Sequence, residues 1–430
     1  MNKVLYVVLD GLGDDPLPEL DNRTPLEAAP TPWMDRLARD GANGLVYTVG
    51  KGIAPESDIA VFAVLGYDPR QYHSGRGPME ALGSGMEVRD GDLVYRINFA
   101  TVEPGDGPNW TILDRRVGRD LTSEEAHALA AEVNANVKLP GATAELLATV
   151  EHRGALLIRC DGAPLSAEST NTDPAYGREG SLGVAKLTFD NRVQICEALP
   201  GHDRDEAALT GADLTNEFLR QSHAILEASD VNAKRRSAGK LAGNIILTRD
   251  GGDHLPHPPS FRERFGAEWG CFVEMPVERG ISMVLGMGQV EVPMKGSGSH
   301  AEQYAKWAET ALEAIQEYDG LYIHIKGPDV PAHDGRGEDK RDVVAEIDES
   351  FFATIVPELD KRTIVAVTAD HATSCVKKAH TDDPVPLLVW GPGVSQDAVQ
   401  LFSERAAGKG SLGLLQGVEI MPRLMDLAKS

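Results

Sequence analysis

The sequence predicts an α/β protein: a mostly parallel sheet with helices on both faces, interrupted by an inserted α/β cap. Three observations carry the expectation. Short apolar runs followed by helical periods recur at both ends of the chain. Three of these runs, Val4 to Leu9, Leu321 to Ile325 and Thr363 to Thr368, are almost uninterrupted in β-branched or aliphatic residues, as strands buried on both faces require. Each leads to an aspartate, Asp10, Asp329 or Asp370. Open α/β sheets bind ligands beyond the carboxyl ends of their strands, so residues far apart in the chain can share one crevice.

The elements follow in order. MNKVLYVVLDGLGDD meets acid after about six apolar positions and shows no small-residue cleavage site, so it reads as a first strand, not a signal peptide, and a cytoplasmic location is expected. Thr31-Pro32, Trp33, Leu37 and Gly41 give a helix with an N-cap, a proline at its first position and a terminating glycine. Ser57 to Leu65, closed by Gly66, is a short helix starting at a serine. Leu121 to Val137 and Asp213 to Ser229 read as helices, and Glu145 to Arg159 as two strands interrupted near His152-Arg153-Gly154. Ser299 to Tyr318 and Arg341 to Leu359 have helical periodicity. Glycine and proline punctuation at Gly105-Asp106-Gly107-Pro108 and from His254 to Pro259 marks hinges. It sets a cap at 106–254 within a sheet domain of 1–105 and 255–430.

Composition excludes several classes. Of 430 residues, 42% are apolar and 25% charged, and no apolar run approaches the roughly 18 residues of a bilayer span. Lysine and arginine minus aspartate and glutamate is 42 − 66 = −24, which leaves no counterion-release drive toward nucleic acid. Cys160, Cys196, Cys271 and Cys375 form no CxxC pair and are expected as reduced thiols. Gly11-Leu12-Gly13 is followed by Asp14 and Asp15, which would repel a pyrophosphate, and GMGQVEVPMKGSGS lacks a GK[ST] ending, so neither is a nucleotide site.

The chemistry lies in the carboxylates and imidazoles. Asp329 and His333 stand four apart in KGPDVPAHDG, Asp370 and His371 are adjacent in TADHATS, and His380 follows nine later. With Asp10 they make three carboxylates and three imidazoles, a donor set for Mn²⁺, Zn²⁺ or Co²⁺ and enough for two sites sharing an anion. Ser57 in GIAPESDIAV opens its helix, where backbone N–H groups and the helix dipole favour a bound or covalent phosphate. A serine hydroxyl needs activation, and coordination to a metal is the expected means, since no histidine base is evident beside it. Taken alone, Ser57 reads first as an ordinary N-cap, and each aspartate or histidine as a cap, a turn residue or a satisfied surface group. Their joint placement beyond strand ends argues for a site.

VLDGLGD, TPLEAAPTPWMDRLARDG, GIAPESDIAV, LGYDP, GRGPMEALG, RINFATVE, KGPDVPAHDG, TADHATSC and AHTDDPVPLLVWGPG resemble, in order, the archaeal-type branch of the cofactor-independent phosphoglycerate mutases, in the alkaline phosphatase superfamily. The resemblance implies an isomerase of glycolysis and gluconeogenesis. A serine between two Mn²⁺-like ions takes the phosphoryl group of 3-phosphoglycerate as phosphoserine and returns it to the 2-hydroxyl. It implies Ser57 as nucleophile, Asp10, Ser57, Asp370 and His371 at one metal, and Asp329, His333 and His380 at the other. The ions are expected to be Mn²⁺ first, with Mg²⁺, Zn²⁺ or Co²⁺ as alternatives, and neither 2,3-bisphosphoglycerate nor a nucleotide is required. A small phosphorylated carboxylate is the expected partner, with no nucleic acid and no membrane.

The cap is expected to close against water and to bring arginines to the substrate carboxylate, with Arg76, Arg115, Arg116, Arg153 and Arg249 as candidates and Asp173 as a proton handler. FGAEWG departs from the family, placing Glu268 and Trp269 where a substrate-binding lysine is expected; Lys240 or Lys326 is the substitute, or the substrate differs. The rivals are another phosphoryl-transfer member of the superfamily (a phosphatase, a phosphopentomutase or a homoserine-kinase-like relative) and a catalytically dead paralogue. Pro55-Glu56-Ser57-Asp58, in place of the PPGSD of the kinase-like relatives, favours the mutase.

Overall fold

The computed structural model describes residues 1–105, 107, 109–179, 182–186, 188–293 and 299–430. Asp106 and Pro108 of the first expected hinge and residues 294–298 of the glycine-rich loop lie outside the described residues. In chain order the strands are β1 (Lys3–Leu9), β2 (Ala42–Tyr47), β3 (Leu93–Val102), β4 (Ile112–Asp114), β5 (Ala142–Ala148), β6 (Arg153–Cys160), β7 (Tyr176–Glu179), β8 (Leu182–Ala185), β9 (Ile245–Gly252), β10 (Trp269–Val273), β11 (Gly288–Gln289), β12 (Gly320–Ile325), β13 (Thr363–Thr368), β14 (Ala372–Ser374), β15 (Ala379–Thr381), β16 (Val385–Trp390) and β17 (Gly413–Gln416). They divide between two compact units, Met1–Tyr72 with His257–Ser430, and His73–Pro256.

The first unit holds an eight-stranded sheet in the order β11-β10-β12-β1-β13-β16-β2-β17. Every pairing is parallel except the two made by β16, which runs antiparallel to β13 and β2. Apart from Lys3, every residue of β1, β12 and β13 is buried, as their unbroken apolar runs demand. Leu9 stands opposite Ile325 and Val8 opposite Thr368, so β1, β12 and β13 release their chains at one edge of the sheet.

The helix Pro32–Arg39 follows Thr31, but the Thr31 side chain makes no capping bond. Asp348 caps it instead, accepting from the backbone N–H of Trp33 (3.0 Å) and Met34 (2.8 Å). The expected helix over Arg341–Leu359 starts earlier, as Gly337–Ile347, and widens by one residue per turn over Asp348–Phe352, the segment that carries this cap. Ser299 caps His300–Ala314 in a reciprocal box with Glu302. No helix among the described residues is long and apolar enough to cross a membrane.

The second unit is an antiparallel sheet, β4-β3-β6-β5, with β9 on the other side of β3. Leu93, Tyr95, Ile97 and Phe99 of β3 form its core with Leu129 and Val133 of the helix Ser123–Asn136 and with Phe218 of the helix Glu206–Glu227. The expected cap begins at 106, whereas the unit begins at His73. The reason is pairing and packing: β3 bonds along its length to β6 and β9, and the helix Arg76–Gly83 packs on these strands, which turn-residue punctuation does not reveal.

Candidate active site

Strand ends of the first unit build the site. Asp10 follows β1, its N–H donating to the Ile325 carbonyl of β12 at 2.9 Å. Beyond β12, the short helix Asp329–Asp334 opens on Asp329 and presents His333 one turn later. Beyond β13 come Asp370 and His371, and the β14–β15 hairpin pairs Thr373 with His380, stacking the His371 and His380 rings at 3.7 Å between centroids. Ser57 is the first residue of the helix Ser57–Val64; Glu56, in extended conformation, is the N-cap, so Ser57 is not spent on capping. Its Oγ is 3.3 Å from His371 Nε2. This corrects the expectation that no histidine lies beside the serine: the ring comes from 314 residues away, beyond the reach of any local motif.

All seven residues named for metal binding come together, in overlapping sets. His333 Nε2 stands 3.2 Å from His380 Nε2 and 3.3 Å from Asp329 Oδ1, with His380 Nε2 3.7 Å from the same oxygen. Around His371 Nε2 lie Asp370 Oδ2 at 3.2 Å, Ser57 Oγ at 3.3 Å and Asp10 Oδ1 at 3.4 Å. Donors bound to one tetrahedral ion at about 2.0–2.2 Å stand about 3.3–3.6 Å apart, so these separations fit inner-sphere ligands. Three further observations agree. His380 Nδ1 is 2.7 Å from the Pro55 carbonyl and His333 Nδ1 3.3 Å from that of Lys378, which assigns the ring protons to Nδ1 and leaves two Nε2 lone pairs facing each other. Asp10 Oδ1 and Asp370 Oδ2 are buried with no hydrogen-bond partner among the described residues. A cation bound there would satisfy each of these atoms.

The electrostatics follow from the crowding of carboxylates. Burial opposes ionisation of Asp329, but the Lys326 ammonium outweighs it and holds the carboxyl well below its ordinary range. Burial keeps the His371 imidazole neutral, far below its ordinary value. Lys326 donates to Asp10 Oδ2 at 2.6 Å and stands 2.9 Å from Asp329 Oδ2; burial alone would lower its pKa, but these two carboxylates push it up. His324, on the same strand, lies 3.4 Å from Asp10 and 3.7 Å from Asp370. Burial favours the neutral ring, yet Asp10 and Asp370 raise it to about 9.

Sequence reasoning missed His324 and offered Lys326 only as a substitute for a substrate lysine. The signal was available: a histidine and a lysine at alternate positions of the otherwise apolar GLYIHIKG put two cationic groups on one face of a buried strand. Of the two lysines considered, Lys326 is the one in the site; Lys240 lies in the second unit, 3.6 Å from Asp120. Glu268 pairs with Arg262 at 2.7 Å and Trp269 packs on Phe261. Trp269 is opposite Gly320, at the amino ends of β10 and β12, so this departure from the family stands at the far edge of the sheet from Asp10.

The candidate arginines all lie in the second unit and form neighbouring groups. Arg76 and Arg96 flank the buried Glu80 at 3.4 and 3.2 Å. Burial favours its neutral form, but Arg96, Arg76 and Arg249 prevail and keep Glu80 ionised. Arg249 stacks on Tyr176, 3.9 Å from the ring centre, and pairs with Asp250 at 3.1 Å. Arg115 and Arg116 line a cavity of about 400 Å³ with Arg119 and Asn191. Asp173 is held by a two-pronged contact from Arg115 at 2.8 and 2.6 Å, so the structure shows it orienting a guanidinium. Arg153 is 3.7 Å from Glu151. Next to it, His152 is held down at about 3 by burial and by Arg153, Arg116, Arg96 and Arg119. Arg96 was missed, though an arginine inside the ten buried residues of β3 is itself the signal.

The sequence profile described as 2,3-bisphosphoglycerate-independent phosphoglycerate mutase matches residues 38–232. The protein of that name from Aeropyrum pernix is 43% identical, covering 99% of both chains, and that from Methanopyrus kandleri is 37% identical, covering 99% of this chain and 96% of the relative. A solved structure from Pyrococcus horikoshii superposes with a TM-score of 0.79 at 28% identity, over 100% of this chain and 97% of that one. The cofactor-independent phosphoglycerate mutase of Thermoplasma acidophilum gives 0.63 at 31% identity, over 99% and 100%. With the motifs in order along the chain and the fold shared from end to end, this chain belongs to the family of 2,3-bisphosphoglycerate-independent phosphoglycerate mutases.

Proposed function

We propose that the chain is an isomerase that interconverts 3-phosphoglycerate and 2-phosphoglycerate through phosphoserine at Ser57, without 2,3-bisphosphoglycerate. Two divalent ions are assigned to it, Mn²⁺ first and Mg²⁺, Zn²⁺ or Co²⁺ as alternatives. Asp10, Ser57, Asp370 and His371 would hold one, and Asp329, His333 and His380 the other. The observation that carries the reading is the buried Ser57 hydroxyl standing 3.3 Å from a ring nitrogen ringed by carboxylates, at the start of a helix. Bound there, the ions supply positive charge for a phosphate dianion and lower the pKa of the serine hydroxyl.

Ser57 Oγ forms its bond to phosphorus as the bond to the substrate's 3-oxygen breaks, and the hydroxyl proton of Ser57 passes to that oxygen. The N–H groups at the start of its helix face the phosphoryl oxygens. The glycerate 2-hydroxyl then attacks phosphoserine, and Oγ leaves and takes up the proton that the 2-hydroxyl gives up, restoring the enzyme. Arg76, Arg115, Arg116, Arg153 and Arg249 are the groups assigned to carboxylate recognition, with Asp173 orienting Arg115. The test is incubation of the full chain with 3-phosphoglycerate and Mn²⁺, followed by ³¹P NMR. Formation of 2-phosphoglycerate without inorganic phosphate is expected; steady phosphate release without 2-phosphoglycerate would make the enzyme a phosphatase.

A further inference from the structure

Thr373 follows His371 by two residues and belongs to neither ligand set. We infer that Thr373 is a positioning residue whose hydroxyl fixes the tautomer of His371 and ties that ring to Asp329. The inference rests on Ser57 and His371 acting as proposed above.

The Thr373 hydroxyl donates to Asp329 Oδ1 at 2.8 Å, and its oxygen is 3.0 Å from His371 Nδ1. A hydroxyl has one proton, and an ionised carboxylate can only accept. With that proton on the Asp329 side, Thr373 Oγ1 offers a lone pair to Nδ1, so Nδ1 carries the ring hydrogen. His371 Nε2 is then the unprotonated nitrogen, the one that faces Ser57 Oγ, Asp370 Oδ2 and Asp10 Oδ1. The opposite tautomer would leave Asp329 and Nδ1 competing for one hydroxyl proton.

The hydroxyl is held rigidly. The Thr373 N–H donates to the Gly13 carbonyl at 2.9 Å, and its own carbonyl accepts from the buried Lys340 ammonium at 2.9 Å. The backbone of Gly11 closes in so tightly that a Cβ there would sit 2.6 Å from Thr373 Oγ1. Asp329 Oδ1 is also the oxygen that stands 3.3 Å from His333 and 3.7 Å from His380. One hydroxyl therefore links the two ligand sets, and each set orients the other.

The test compares full-length wild type, Thr373→Val and Thr373→Ser. Mn²⁺ binding is read by equilibrium dialysis with metal analysis, and the His371 tautomer of the metal-free chain by ¹⁵N NMR of labelled histidine, with His371→Asn identifying the resonance. We expect Nδ1-protonated His371 in wild type, a mixture of tautomers in the valine variant, a fall of about 10–100-fold in its Mn²⁺ affinity, and restoration of both by serine. Thr373→Val should lower kcat with little change in KM. An Nε2-protonated His371 in wild type overturns the inference even if the valine variant fails to fold. So does wild-type Mn²⁺ affinity in the valine variant, or a serine variant no better than valine. These binding and NMR readouts need no turnover, so wild type inactive on 3-phosphoglycerate would sink the proposed reaction and leave this one to be judged separately.

Discussion

Gly11→Ala tests how tightly the end of β1 is built around the site. Gly11 has φ +63°, where an L side chain costs about 1–2 kcal/mol. The added Cβ would also meet Thr373 Oγ1 at 2.6 Å and Asp329 Oδ1 at 2.8 Å, against an ordinary contact of at least 3.4 Å. The shortfalls are 3.4 − 2.6 = 0.8 Å and 3.4 − 2.8 = 0.6 Å, so a hydroxyl and a carboxylate must each give way or the strand end must lift. Preorganised sites tolerate about 0.5 Å. Displacing an oriented ligand by more than that costs about 10–100-fold in metal affinity, or about 1.4–2.8 kcal/mol. Mn²⁺ titration calorimetry on the purified variant, with an enolase-coupled turnover assay, measures both effects. An alanine variant that binds Mn²⁺ as tightly as wild type and turns over at the same rate would refute the close approach and the ligand role of Asp329 together.

Other perturbations separate chemistry from scaffold. Ser57→Ala should abolish mutase turnover while Mn²⁺ binding weakens only by the loss of one ligand; surviving activity rules out the phosphoserine. His380→Ala removes a donor 3.7 Å from Asp329 and should lower metal occupancy by at least tenfold, read by metal analysis after dialysis; unchanged occupancy removes it from the site. Glu404 accepts from Thr24 at 2.8 Å and is pushed up by burial from 4.5 to about 7. The folded chain thus keeps a proton that the unfolded chain releases between those values, so stability falls as pH rises through that window, by about 3 kcal/mol in full. Glu404→Gln should therefore raise the melting temperature at pH 8 and have little effect at pH 5; equal gains at both would show that Glu404 does not titrate abnormally.

The fold class was legible because three apolar runs had the composition of doubly buried strands. The site was legible because each run ended in an acid. Residue types and chain order sufficed there, since the carboxyl edge of a parallel sheet gathers whatever its strands deliver. What the sequence withheld depends on pairing. His371 reaches Ser57 only because the sheet order β13-β16-β2 brings the segment that follows β2 to the end of β13. The second unit takes in β3 because that strand bonds to β6 and β9. Asp348 caps a helix some 315 positions away, where Thr31 looked sufficient. Arg96 and His324 were visible as charges inside apolar strands, but what each one faces is set by neighbouring strands.

β1 is flanked by β12 and β13, so the first strand made finds both of its partners in the last third of the chain. During synthesis Asp10 emerges hundreds of residues ahead of Asp329 and Asp370, while the contiguous stretch from His73 to Pro256 already contains every partner its own sheet requires. The nascent protein therefore cannot complete its ligand sets until His380 has cleared the ribosome. Until then β1 is an apolar segment with two open edges, needing protection from premature association.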